Sequence, residues 1–166
     1  MALPTHTPPP GGKPYRIRPL KRGDRDSIFR LLAEDGWPVP AADQELAVSW
    51  VVQHPEMESF VAHDPASFSR LYGMITMSHR PQLRLGGRVA SIDLFVVAAD
   101  QRGKGIGHDL FALSLRRAEA LGCKRIELHL GPANLPQRKF FEDLGFAPSD
   151  NALYVRLLKG IKERLG

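Results

Sequence analysis

The chain has 166 residues, enough for one ordinary domain with its own core and short for two. Its 23 lysines and arginines against 18 acids give a net charge of +5, but the cations alternate with acids and form no stripe between stacking aromatics, which favours an anionic ligand over nucleic acid. No apolar run is long enough to cross a bilayer, and the single cysteine, Cys123, cannot close an internal disulfide, so a cytoplasmic protein without a membrane partner is expected.

Residues 1–14 hold Pro4, Pro8, Pro9, Pro10, Gly11, Gly12 and Pro14, which sustain neither helix nor central strand and lack the apolar stretch of a signal peptide. They read as a flexible tail ahead of a single domain over residues 15–166. Tyr15 to Leu20 alternates like a strand. Gly23-Asp24 then opens a helix carrying Ile28, Phe29, Leu31 and Leu32 that ends near Gly36. After the extended Trp37-Pro38-Val39-Pro40, Asp43 is expected to cap a second helix that turns Leu46, Ala47, Trp50 and Val51 to one face and stops at His54-Pro55.

Three strands follow: Glu58 to His63, Phe68 to Met77 after an Asp64-Pro65 turn, and Val89 to Ala98 after the Leu85-Gly86-Gly87-Arg88 turn. Connections this short predict antiparallel neighbours. The order then changes to helix (Ile106 to Leu121), strand (Arg125 to Leu130), helix (Pro136 to Leu144) and strand (Leu153 to Leu158). An antiparallel meander followed by a β-α-β crossover is an α/β chain with a mixed sheet. If the strand before the crossover parts from its parallel neighbour near Ala98 to Asp100, a cleft opens at their carboxyl ends.

Between that strand and helix stands Arg102-Gly103-Lys104-Gly105-Ile106-Gly107. Glycines let the backbone approach an anion, the first helical turn has amides without internal partners, and the dipole adds positive potential. The stretch therefore reads as a phosphate-holding loop. A dinucleotide fold is excluded by spacing, since Gly103-x-Gly105-x-Gly107 is not G-x-G-x-x-G and the preceding meander is the wrong scaffold.

Arg102, Gly105 and Gly107 fill the pattern Gln/Arg-x-x-Gly-x-Gly/Ala, and the segment resembles the acetyl-CoA motif of the GCN5-related N-acetyltransferases (GNAT). A second segment agrees: Leu128-x-Leu130, Asn134 and Phe140-Phe141-Glu142-Asp143-Leu144-Gly145-Phe146 resemble that family's later strand, asparagine and helix end. The resemblance covers Tyr15 to Leu158. It implies a GNAT-like fold, acetyl-CoA as cosubstrate, a primary amine on a small molecule or peptide as acceptor, and direct attack in a ternary complex; separately, an exposed sheet edge or the helices offer a surface for a homodimer. It also places the diphosphate on the backbone of Arg102, Gly103, Lys104, Gly105, Ile106, Gly107 and His108, with the pantetheine arm beside Phe95, Val96 and Val97, near Asn134 and Phe141. Phe95 to Val97 read equally as core.

Asp93, nine positions before Arg102, stands where members of the family often carry a glutamate base, and an acid between Ile92 and Leu94 is costly unless paired or functional. The alternative is a cross-strand ion pair with Arg70 or Arg88. His129 is the second choice of base, as the residue alternating away from Ile126, Leu128 and Leu130. At the family's proton-donating tyrosine this chain has Phe141, which has no proton to give. Water, Ser91 or Tyr154 would substitute, or the chain is an acyl-CoA-binding regulatory module with little turnover. Cys123 reads as packing material, and the histidines have no partner at metal-ligand spacing, so no metal is expected. The acceptor side falls to Glu34 to Gln53 and to the turn from Ser78 to Arg88, where Glu34, Asp35 and Trp37 either attract a cationic amine or form a solvated loop.

Overall fold

A computed structural model describes residues 12–130 and 135–149. The chain divides into two compact units, residues 1–128 and 129–166. The first holds a five-stranded mixed sheet whose spatial order equals its chain order, β1 to β5. Strands β1 (Arg16–Pro19), β2 (Met57–Asp64), β3 (Ser67–Gln82) and β4 (Gly87–Val97) are antiparallel, and β5 (Cys123–Leu128) joins β4 in parallel. Helices α1 (Arg25–Glu34) and α2 (Ala41–Gln53) separate β1 from β2, and α3 (Ile106–Ala120) makes the crossover from β4 to β5.

The two faces of the sheet are covered by different helices. Ile28, Phe29, Leu31 and Leu32 of α1 and Val48 of α2 pack with Val61, Leu71, Met74, Val96 and Ala98, all buried. On the opposite face Gly73 lets α3 approach closely. A Cβ there would lie 3.3 Å from both Ile106 and Leu110, and 2.9 Å from the carbonyl of Val96. Each apolar side chain buried this way is worth about 1.5–3 kcal/mol, and the two layers together hold the sheet.

Helix α1 stops by local chemistry. Gly36 takes φ +89°, its amide donates to Ala33, and the amide of Trp37 donates to Leu32 at 2.8 Å, which is a Schellman ending with Asp35 as C-cap. Helix α2 departs from expectation in two ways. Pro40, not Asp43, is its N-cap, with Asp43 one turn inside. The buried residue is Val48, while Leu46 and Trp50 are exposed. Apolar residues at 46, 47, 48, 50, 51 and 52 surround the helix, so periodicity alone selects no single face.

Strand β3 runs five residues beyond the expected Met77, paired with β4 as far as Gln82 opposite Gly87. Near that end His79 is buried. Its Nδ1 accepts from the Arg88 guanidinium at 2.8 Å, Arg88 also reaches Glu56, and His79 Nε2 has no partner among the described residues. Burial, with the charge of Arg88, pushes the imidazole below its ordinary range. Cys123 is half-buried and burial pushes its thiol up, which suits packing.

In the second unit α4 (Leu135–Asp143) also ends in a Schellman motif: Gly145 takes φ +91°, its amide donates to Glu142, and the amide of Phe146 donates to Phe141. The Phe146 ring meets Phe141 edge-on at 5.5 Å, which is the apolar contact this ending favours. The Phe-Phe-Glu-Asp-Leu-Gly-Phe run is thus, physically, a helix stop. Asn134, Tyr154 and the strand expected at Leu153 to Leu158 lie outside the described residues.

Candidate functional site

Strand β4 outruns β5. Their pairing ends at Ile92 opposite Leu128, and β4 continues for five residues to Val97 with no further β5 pair among the described residues. The strands therefore part six residues earlier than Ala98. A bulge marks the fork: Thr76 pairs with Leu94 and Met77 with Ile92, which leaves Asp93 as the extra residue of β4. Asp93 is exposed and has no hydrogen bond or ion pair among the described residues. The alternative bridges are not made, because Arg70 pairs with Asp100 and Arg88 with Glu56 and His79. The bulge thus removes the cost of an acid on an apolar strand by turning it to solvent.

His129 falls outside β5, which spans Cys123–Leu128, and it is exposed. Having no strand to alternate along, it loses the argument that made it a second base. Ser91 is half-buried on β4, opposite Ser78 and Glu127. Phe141 is buried between the rings of Phe140 and Phe146.

The expected anion loop has the required backbone. After a 3-10 turn over Ala99–Gln101, Gly103 takes φ +75° and Gly105, the N-cap of α3, takes φ +83°. Side chains rarely adopt this region, so glycine is selected by conformation at both positions, and at Gly103 by nothing else, since a Cβ there meets nothing within 4 Å. The first bond of the α3 ladder here runs from Asp109 N to Gly105 O, so the amides of Ile106, Gly107 and His108 precede it. Ile106 is buried and fixes this turn to the sheet, whereas Gly103, Lys104, Gly105 and His108 are exposed.

Side chains around the loop are already engaged. Lys104 Nζ donates to Gln101 Oε1 at 3.0 Å, and Arg102 donates through Nε to the Val97 carbonyl at 3.1 Å and through Nη2 to Asp35 at 3.0 Å. At the start of α3 the Asp109 carboxylate pairs with Lys13 and accepts from the Tyr15 hydroxyl at 2.7 Å. Lys13 and Tyr15 hold that carboxyl below its usual range, and burial together with Asp109 pushes the Tyr15 phenol up to about 12. Tyr15 also braces the loop, its hydroxyl lying 3.6 Å from where a Gly105 Cβ would be. None of these long-range partners was legible in local sequence pattern.

Beside the loop a cavity of about 370 Å³ is lined by Leu31, Glu34 and Asp35 of the α1 end, by Val96 to Asp100, and by Arg70 and Arg102. The tip of the β3–β4 hairpin, at Gln82 and Gly87, lies at the opposite end of the ladder from Val97. Of the two segments expected on the acceptor side, only the one following α1 borders this cavity. The donor set fits a diphosphate on a linear arm: helix-start amides, two glycine-enforced bends, nearby cations and a strand edge that β5 leaves at Ile92.

Comparison with known proteins shows the fold and the family. Glucosamine 6-phosphate N-acetyltransferase 1 of Oryza sativa subsp. japonica is 27% identical over 128 residues, 73% of this chain and 76% of that protein. Ribosomal-protein-alanine N-acetyltransferase from Brucella melitensis biovar Abortus 2308 shares the fold with a TM-score of 0.69 at 24% identity, over 87% of this chain and 99% of that one. An aminoglycoside N-acetyltransferase solved in complex with CoA does so with a TM-score of 0.75 at 21% identity, over 89% and 97%. A profile of the acetyltransferase (GNAT) family matches residues 25–146, a span that includes both the glycine loop and the α4 ending, and the chain belongs to that family.

Proposed function

We propose that this acetyltransferase takes its acetyl group from acetyl-CoA and passes it to a primary amine by direct attack in a ternary complex in the cytoplasm. The observation that carries the reading is the fork itself: β4 leaves β5 at Ile92 and ends five residues on at a loop whose amides precede the α3 ladder. Those amides hold the diphosphate, and the edge of β4 that β5 leaves pairs with the amide arm as an added strand would. Acetyl-CoA supplies an activated thioester.

The remaining chemistry belongs to this chain. A lysine-like amine, with a pKa near 10.4, arrives protonated and must lose a proton before it attacks. Asp93, unpaired at the apex of the fork, accepts that proton directly or through one water. Phe141 has no proton to donate, so solvent returns one to the thiolate.

Charge favours a cationic acceptor. From Leu31 to Ser69 the chain has seven carboxylates and no lysine or arginine, in a protein of net charge +5. This segment contributes Glu34 and Asp35 to the cavity, beside the exposed Trp37. An amine with a second positive charge suits this surface better than a phosphorylated sugar. The test is thiol release from acetyl-CoA against a panel of mono-, di- and polyamines and amino sugar phosphates. Transfer to the polycations is expected, and calorimetry showing no CoA binding would refute the assignment. Tight CoA binding without product on any amine would favour a regulatory module.

A further inference from the structure

Arg102 occupies two groups that a bound donor and acceptor would otherwise find free. Successive residues of a strand direct their main-chain groups to opposite edges, and Ala98 N donates to Tyr72 O across the β3 side. The carbonyl of Val97 therefore lies on the other edge, the one β5 has left. That carbonyl accepts from Arg102 Nε at 3.1 Å, so a guanidinium sits where the reading above places the amide arm of the coenzyme.

Asp35 holds it there, its carboxylate 3.0 Å from Arg102 Nη2. The Schellman bonds of Gly36 and Trp37 fix the backbone of Asp35, while its charge lies at the end of α1 that the helix dipole disfavours for an acid, with no basic residue in the last turn to offset it. Arg102 is the compensation, supplied from 67 positions away. The side chains are 60% and 31% exposed, and a pair so wet is exchanged at little cost.

We propose that Arg102 is a placeholder at the Val97 carbonyl, on the edge of β4 that β5 has left, and that Asp35 is the positioning residue that keeps it there, so donor binding competes with the Asp35–Arg102 pair. This rests on the donor reading above. When the coenzyme enters, Arg102 leaves Val97 for the diphosphate, and the Asp35 carboxylate is released toward the cavity.

Calorimetric titration of CoA into the wild type, Asp35→Asn, Asp35→Glu, Arg102→Gln and the Asp35→Asn, Arg102→Gln double variant tests this. Asp35→Asn is expected to tighten CoA binding roughly two- to five-fold, the range of an exposed ion pair, and Asp35→Glu to restore wild-type affinity. In the Arg102→Gln background Asp35→Asn is expected to change nothing. Tightening of equal size with and without Arg102 would mean simple repulsion between Asp35 and the anionic coenzyme, and weaker or unchanged binding in Asp35→Asn would mean a merely structural role; either overturns the placeholder. Failure of the wild type to bind CoA would refute the donor reading and this proposal with it, whereas wild-type binding with an unmoved Asp35→Asn refutes the placeholder alone.

Discussion

Replacing Gly73 by alanine tests how closely the sheet and the crossover helix must approach. The added methyl carbon would stand 2.9 Å from the Val96 carbonyl oxygen and 3.3 Å from Ile106 and Leu110, so backbone on one side and buried side chains on the other must move. Overpacking of this kind costs about 1–3 kcal/mol, and the reduced freedom of the unfolded chain returns about 0.4–1, leaving a net loss of about 1–2 kcal/mol. At about 2–4 °C per kcal/mol for a chain of this size, Tm should fall by roughly 2–8 °C. Ile106 also anchors the first turn of α3, so CoA affinity should fall in the same variant. Gly23→Ala is the control: its Cβ would meet nothing within 4 Å, and its stability should be unchanged or slightly higher. Thermal melts followed by circular dichroism decide the matter. A Gly73→Ala protein that melts with the wild type would refute the claim that this contact fixes the spacing of β3 and α3.

Asp93→Asn should lower kcat about 100-fold or more at neutral pH while leaving CoA affinity and Tm unmoved, because the side chain is exposed and makes no bond; equal rates in a stopped-time thiol assay would remove it from the mechanism. Gly103→Ala should weaken CoA binding through about 1–2 kcal/mol of backbone strain, and Gly103→Asn should recover part of it because asparagine tolerates positive φ; equal loss in both would show that the bend is not what matters. Stability should decline with acidity through His79: the unfolded imidazole takes up its proton near pH 6.5 while the buried one resists, so ΔG falls as pH drops below about 6.5 until the folded group titrates. Urea midpoints at pH 7.5 and 5.5 should differ more for the wild type than for His79→Gln, and parallel shifts would exonerate the histidine.

Much of this fold is written locally. The glycine turn, the boundaries of α1 and α3 and the antiparallel meander follow from short-range pattern, because caps, turns and amphipathic periods act over a few residues. The site is legible as far as its backbone goes: Gly103 and Gly105 are glycines because their φ is positive, and a sequence displays that. The fork is different. Its position depends on a bulge that inserts Asp93 into β4, and nothing in Ile92-Asp93-Leu94 distinguishes a bulged residue from an alternating one. Nor does anything in Arg125 to Leu130 mark locally that β5 ends at Leu128, one residue before His129. The ion pair of Asp35 with Arg102 and the hydrogen bond from Tyr15 to Asp109 join residues 67 and 94 positions apart, and only the closed sheet brings them together. In α2, apolar residues on every side leave the choice of buried face to the partner, which selected Val48.

Because each strand of the sheet lies beside its predecessor in the chain, the central three, β2, β3 and β4, can assemble by successive hairpins, with small loops to close at each step. The two outer pairings, of β1 with β2 and of β5 with β4, must wait for the helices that intervene. The local pairings of β2, β3 and β4 predict rapid acquisition of that central meander, with the fork between β4 and β5 completed later and exposed to loss when the parallel edge frays.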